Sequence, residues 1–241
     1  MNRCIALLMI VLSMHVSASE DYDAMRDRMI DEVQSDMRRS ARYTGISQLS
    51  QPVADALGRV ERHEFVPASV RERAYVNAPQ PIGDGQTISQ PFIVGLMTEL
   101  LGVDEDARVL ELGTGSGYQA AVLAELVAEV YTIEIVARLG RAAERLLQRL
   151  GYDNVHVRVG DGTRGWPEAA PFDGIIVTAA GLRIPESLLE QLRPGGRLVM
   201  PVGGQYEVQQ LMVVQREEDG SFTERQTIPV RFVPITGDNE Y

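Results

Sequence analysis

The stretch Arg108-Val-Leu-Glu-Leu-Gly-Thr-Gly-Ser-Gly-Tyr-Gln-Ala-Ala-Val-Leu-Ala-Glu-Leu-Val127 decides the fold. Arg108–Leu112 reads as a buried strand, and Tyr118–Val127 as a helix entered through a glycine-rich bend. The alternation continues downstream. Val130–Ile135 reads as a strand, and Val136–Leu150 as a helix with Leu139, Ala143, Leu146 and Leu150 on one face, stopped by Gly151. Strands follow at Val155–Val159, Gly174–Thr178 and Arg197–Met200, with a short helix at Pro185–Leu192 and a turn at Pro194–Gly196. Strands alternating with helices imply an α/β fold with a doubly wound, mostly parallel sheet and right-handed crossovers. Val208–Gln215 and Gln226–Val233, flanking Glu218–Ser221, predict an antiparallel C-terminal hairpin at one sheet edge.

Upstream of the strand, Met25, Met29, Ile30, Val33 and Met37 recur at helical spacing, a packing stripe and not a ligand box. Gln51-Pro52 opens a second short helix carrying Val53, Ala56, Leu57 and Val60. Residues 77–91, rich in Pro and Gly, read as an ordered loop or lid. Arg3, the apolar run Cys4–Leu12 and Val16-Ser-Ala18 have the order of a secretory signal, too short for a membrane span. The expected organisation is therefore a signal-like segment at 1–18 and a single domain at 19–241. Within that domain, 19–106 holds the N-terminal helices and the loop, and 107–241 the core sheet.

Composition removes several function classes. A net charge of −11 argues against nucleic acid and against an anionic membrane surface. All 23 basic residues are Arg, so neither a Lys Schiff base nor a P-loop lysine is available. One Cys and three His, without metal-ligand spacing, offer no metal site and no Cys–His pair, and G-x-S-x-G is missing. His63 and His156 read as surface or packing residues, and Trp166 as a packing anchor.

Three acids fall at successive strand ends: Glu111 beside the bend, Glu134 about 20 residues on, and Asp161 before Gly162. Ligands of open α/β sheets sit beyond the carboxyl ends of the strands, where Glu134 can take both hydroxyls of a ribose. Glu134 also has a plainer reading as a solvated strand end, and Asp161 as a turn former or helix N-cap. A dinucleotide wants G-x-G-x-x-G and free N–H groups for its pyrophosphate. Here the spacing is Gly113-x-Gly115-x-Gly117, Tyr118 occupies the place of the third dinucleotide glycine, and Glu111 puts negative charge beside the bend. That pattern favours a sulfonium with an ammonium group, hence S-adenosylmethionine, over a diphosphate.

With these residues in hand, the chain resembles the protein-L-isoaspartate (D-aspartate) O-methyltransferase family of class I, Rossmann-like methyltransferases. The likeness runs from about Val53 to Thr236 and is most specific at Pro81-Ile-Gly-Asp-Gly-Gln-Thr-Ile-Ser-Gln-Pro91. Arg62–Pro67, Gly160–Gly162, Ala170–Ala180, Leu192–Gly196 and Val230–Pro234 also match family segments. The resemblance implies S-adenosylmethionine as methyl donor and the free α-carboxylate of isoaspartyl residues in damaged proteins as acceptor, with repair proceeding through succinimide. It further implies Ser89 as the active-site serine and Thr87, Ser89, Glu111, Gly113, Gly115, Glu134, Asp161 and Gly162 as cofactor-binding residues. Arg231 and Arg183 are candidate contacts to the substrate carboxylate. A monomer in the cytoplasm is expected from the family, with a periplasmic or secreted location as the alternative if 1–18 is cleaved. The competing functions are a methyltransferase of the same fold acting on a small molecule or RNA, and a non-catalytic S-adenosylmethionine-binding scaffold.

Overall fold

The computed structural model describes residues 4–237, with side chains from Asp21 onward. The signal-like reading of 1–18 concerns residues whose side chains lie outside those described. Among the described residues no helix is long and apolar enough to cross a membrane.

Helix α1 (Cys4–Thr44) buries Met29, Val33 and Met37, and partly buries Met25 and Ile30, as the stripe predicts. Helix α2 (Gln51–Arg59) starts at Ser50, whose hydroxyl accepts from Val53 N, with Pro52 in the first turn where no amide hydrogen is needed. The 77–91 stretch is not simply a loop. It holds a two-stranded antiparallel hairpin, β1 (Gln80–Gly83) and β2 (Gln86–Ile88), and Pro91 begins helix α3 (Pro91–Leu101), which the sequence reading lacked. Helix α3 is buried nearly all round, between α1, α2 and the sheet, so it has no polar face to give it a helical period.

The sheet follows: β3 (Arg108–Leu112), α4 (Tyr118–Ala124), β4 (Glu129–Glu134), α5 (Ala137–Arg149), β5 (Val155–Val159), β6 (Phe172–Val177), α6 (Glu186–Glu190), β7 (Leu192–Val202), β8 (Gln209–Arg216) and β9 (Phe222–Val230). The strand order is β5-β4-β3-β6-β7-β8-β9, parallel as far as β7 and antiparallel for β8 and β9. Strands β3 and β6 are wholly or nearly wholly buried, which is why they read as continuous apolar runs. Gly151 follows α5 at φ 84°, a left-handed position that ends a helix. The turn expected at Pro194–Gly196 lies within β7, whose pairing with β6 shifts register between Phe172 and Gly174. Two apolar clusters fill the two faces of the sheet, one with α1–α4 and the other with Leu110, Ile133, Phe172, Ile175 and Leu188.

The chain leaves β3 for β4 on one side and later returns to β6 on the other. The reversal of strand order, where ligands bind in such sheets, therefore falls between β3 and β6.

Candidate functional site

A cleft of about 860 Å³ opens at this reversal point. Its walls are the carboxyl ends of β3, β4 and β6, the hairpin, and the returning segment 233–236. Thr87, Ser89, Glu111, Gly113, Gly115, Glu134 and Gly162 all line it. Asp161 is not among its lining residues. Its Oδ1 accepts from the amide and the hydroxyl of Thr163, capping the short helical turn Gly162–Arg164.

The bend is shaped by sterics. Gly113 has φ 92°, and a Cβ there would run into the Thr178 hydroxyl. That hydroxyl donates to the carbonyls of Leu112 (3.0 Å) and Gly113 (2.7 Å), tying the bend to the end of β6. Glu134 is 5% exposed and braces the bend from β4. Its Oε2 accepts from Gly115 N (2.7 Å) and its Oε1 from Val136 N (2.9 Å). A carboxylate has about four acceptor sites, so both oxygens keep one for a diol.

Glu111 is wholly buried. Its Oε2 accepts from Thr132 Oγ1 at 2.5 Å, and Thr132 is itself 2.6 Å from Thr114 Oγ1. Its Oε1 has no hydrogen-bond partner. Burial pushes the Glu111 carboxyl up to about 8, against the opposing hydrogen bond from Thr132 and with Glu134 raising it further. This modifies the sequence-level picture of a fixed negative charge: burial favours the neutral carboxyl. An orphaned buried acceptor beside a glycine bend, with a diol-ready carboxylate on the next strand, fits a cationic nucleoside such as S-adenosylmethionine.

A second cleft of about 1,680 Å³ adjoins the first and shares Thr87, Ser89, Thr178 and Val233 with it. It runs between α1 and the end of β9 and contains Asp36, Arg39, Glu207 and Arg231. Asp36 is occupied by Arg39 and by Asn77 Nδ2 (2.7 Å). Arg231, exposed, makes no ion pair with a described residue, whereas Arg183 lines neither cleft. The Ser89 hydroxyl makes no hydrogen bond to a described residue, so it is not spent on its own turn.

Sequence reasoning missed Thr178, Thr132, Thr114 and the segment 233–236. Thr178 follows the last residue of β6, and the strand-end rule, applied in the sequence to acids alone, would have found it if extended to hydroxyls. Ile235 N donates to Ala180 O (2.8 Å), and Pro234 bridges Ala180, contacts that exist only once the chain has returned from β9. His63 is buried and bonded to the Tyr75 hydroxyl (2.8 Å). His156 and Trp166 pack on Tyr131, with Arg158 over the indole.

Residues 32–240 match the family model described as Protein-L-isoaspartate(D-aspartate) O-methyltransferase (PCMT). The chain is 55% identical over 236 residues to "Protein-L-isoaspartate O-methyltransferase 2" of Syntrophobacter fumaroxidans, covering 96% of each chain. It is also 55% identical to the protein of that name from a Polaromonas species, over 87% of this chain and 99% of the relative. A solved protein-L-isoaspartate O-methyltransferase superposes with TM-score 0.74 at 28% identity, over 86% of this chain and 66% of that one. A Plasmodium falciparum structure in complex with S-adenosyl-L-homocysteine, 24% identical with TM-score 0.68 over 84% and 97% of the two chains, shares the fold. The chain belongs to the protein-L-isoaspartate (D-aspartate) O-methyltransferase family.

Proposed function

We propose that this chain methylates the free α-carboxylate of isoaspartyl residues in damaged proteins, using S-adenosylmethionine, and so initiates their repair through succinimide. The observation that carries this reading is the junction of the two clefts at Ser89 and Thr178: one side suits a cationic nucleoside, the other is open and holds Arg231, which has no ion-pair partner among the described residues. When bound, S-adenosylmethionine supplies an electrophilic methyl group.

The residues of the chain have the remaining work. An α-carboxyl titrates near about 3.5, so the acceptor is already ionised and needs no general base. That accords with a site offering no nucleophile–base pair. We assign the ribose hydroxyls to Glu134, the ammonium end to Glu111, and main-chain contact to Gly113, Gly115 and Gly162, with Thr87 closing from the hairpin. Ser89 donates a hydrogen bond that orients the substrate carboxylate and is not itself the nucleophile. Arg231 attracts that carboxylate from the second cleft. Alignment of this kind can supply about 7–11 kcal/mol. Asp161 holds the Gly162 turn in place through Thr163.

The deciding assay is methyl transfer to matched isoaspartyl and aspartyl peptides. Transfer to the isoaspartyl peptide alone is expected; equal transfer to both, or to neither, overturns the proposal. The proposal extends to a single domain at 19–241 working as a monomer in the cytoplasm. N-terminal sequencing after fractionation checks the location, and a mature start at Ser19 found outside the cytoplasm would reverse it.

A further inference from the structure

Arg62 is wholly buried, yet among the described residues no carboxylate pairs with it. Its Nε donates to Ala74 O and its Nη2 to Ser89 O, both at 2.7 Å. The guanidinium lies over the Tyr118 ring, 4.6 Å from its centre, and Nη1 has no hydrogen-bond partner. Burying a cation without a counter-charge is costly, and here it is offset only by the two carbonyls and the Tyr118 face. Packing alone therefore does not account for an arginine here.

What the arginine does is connect three segments. Ala74 ends the helical turn Ala68–Arg73, and its neighbour Tyr75 is held by His63, on which Tyr22 of α1 stacks at 4.1 Å. Ser89 stands between the hairpin and α3, on the wall shared by the two clefts. Tyr118 is the first residue of α4, directly after the glycine bend, and lines the cofactor cleft. A guanidinium is a rigid fork, so holding both carbonyls fixes the distance between them.

We infer that Arg62 is a positioning residue for methyl transfer: it clamps the Ser89 main chain to Ala74 and to the first turn of α4, which sets where the Ser89 hydroxyl points. This inference rests on the proposed role of Ser89.

The test compares wild type, Arg62→Lys, Arg62→Met, Ser89→Ala and the Arg62→Lys/Ser89→Ala double variant. It reads kcat and KM on an isoaspartyl peptide, S-adenosylhomocysteine affinity by calorimetry, and melting temperature. For Arg62→Met, kcat is expected to fall about tenfold or more, while cofactor-product affinity stays within about twofold. Arg62→Lys keeps the charge without the fork and should fall part-way; it carries the test alone if Arg62→Met does not fold. In the Ser89→Ala background the lysine change should cost less than about twofold, because the two residues act in series. A fully additive double variant, or a kcat loss that tracks lost product affinity or melting temperature, would mean a purely structural arginine and overturns the inference. Ser89→Ala impaired while Arg62→Lys and Arg62→Met retain wild-type kcat overturns it too and leaves the role of Ser89 standing. Ser89→Ala at wild-type kcat removes both.

Discussion

The two clefts that meet at Ser89 are built by opposite means. The cleft proposed for the cofactor is lined by backbone bends and by acids that are almost completely enclosed, with Glu111 at 0% and Glu134 at 5% exposure. Its polar groups are fixed by neighbours one strand away, Thr132 for Glu111 and the Gly115 amide for Glu134. The adjoining cleft is walled by α1 and the end of β9, with Tyr43 and Val208 exposed at 52% and 69%. A site for one invariant small molecule gains from preorganisation. A site that must accept isoaspartyl residues in many proteins can demand only what they share, a carboxylate on a bent main chain. Rigid and buried on one side, open and adaptable on the other, the arrangement matches that division.

The largest expected effect lies on the rigid side. Glu134→Ala removes two charge-assisted acceptors and leaves the amides of Gly115 and Val136 unpaired, so S-adenosylhomocysteine affinity should fall about a hundredfold or more. Calorimetric titration measures it; a loss under about threefold would mean that the nucleoside does not use this carboxylate. Ser89→Ala comes next, at the junction. A lost orienting hydrogen bond of this kind should lower kcat about 10- to 100-fold while leaving product affinity intact. Arg231→Gln on the open side should raise peptide KM only about three- to tenfold, with kcat unchanged, because an exposed cation is screened. That penalty should also shrink as salt rises. Should Arg231→Gln instead abolish binding of the cofactor product, the separation of the two clefts would be wrong.

The same contrast governs what could be read in advance. Strands β3, β4 and β6 were legible because burial makes apolar runs, and the half-exposed edge strand β5 because Val155, Val157 and Val159 alternate with polar residues; a parallel sheet puts ligand groups where those strands stop. The hairpin was not legible, since its strands are only four and three residues long, with Pro81 and Gly83 inside the first. Helix α3 was hidden by the opposite fault, an apolar sequence with no face turned to water. Nothing in the segment Arg62–Pro67 marks Arg62 as buried before tertiary structure encloses it, and the segment 233–236 reaches the first cleft only through a return across the sheet. Local order follows from local pattern, while whatever distant segments jointly enclose does not.

Glu111 offers the smallest and most particular check on the rigid side. Its carboxyl, raised to about 8 by burial, faces Thr132, and among the described residues Glu134 is the charged group that acts on it. Burial at this position favours its protonated form when no cation faces it. The cationic end of the cofactor should draw it back to the carboxylate, so binding should release up to about one proton, a linkage between charge state and affinity. Calorimetry at pH 7 in two buffers of different ionisation enthalpy counts that proton, and Glu111→Gln should abolish the difference. The linkage also fixes the sign for stability without ligand. A carboxyl raised above its unfolded value of 4.5 stabilises the fold fully below pH 4.5, and the contribution is lost as pH rises towards 8. Relative to wild type, Glu111→Gln should therefore gain melting temperature as pH climbs from 5 to 9. A constant difference across that range, together with no proton released on binding, would show that Glu111 is ionised in the empty cleft and that its burial is compensated by groups other than Thr132.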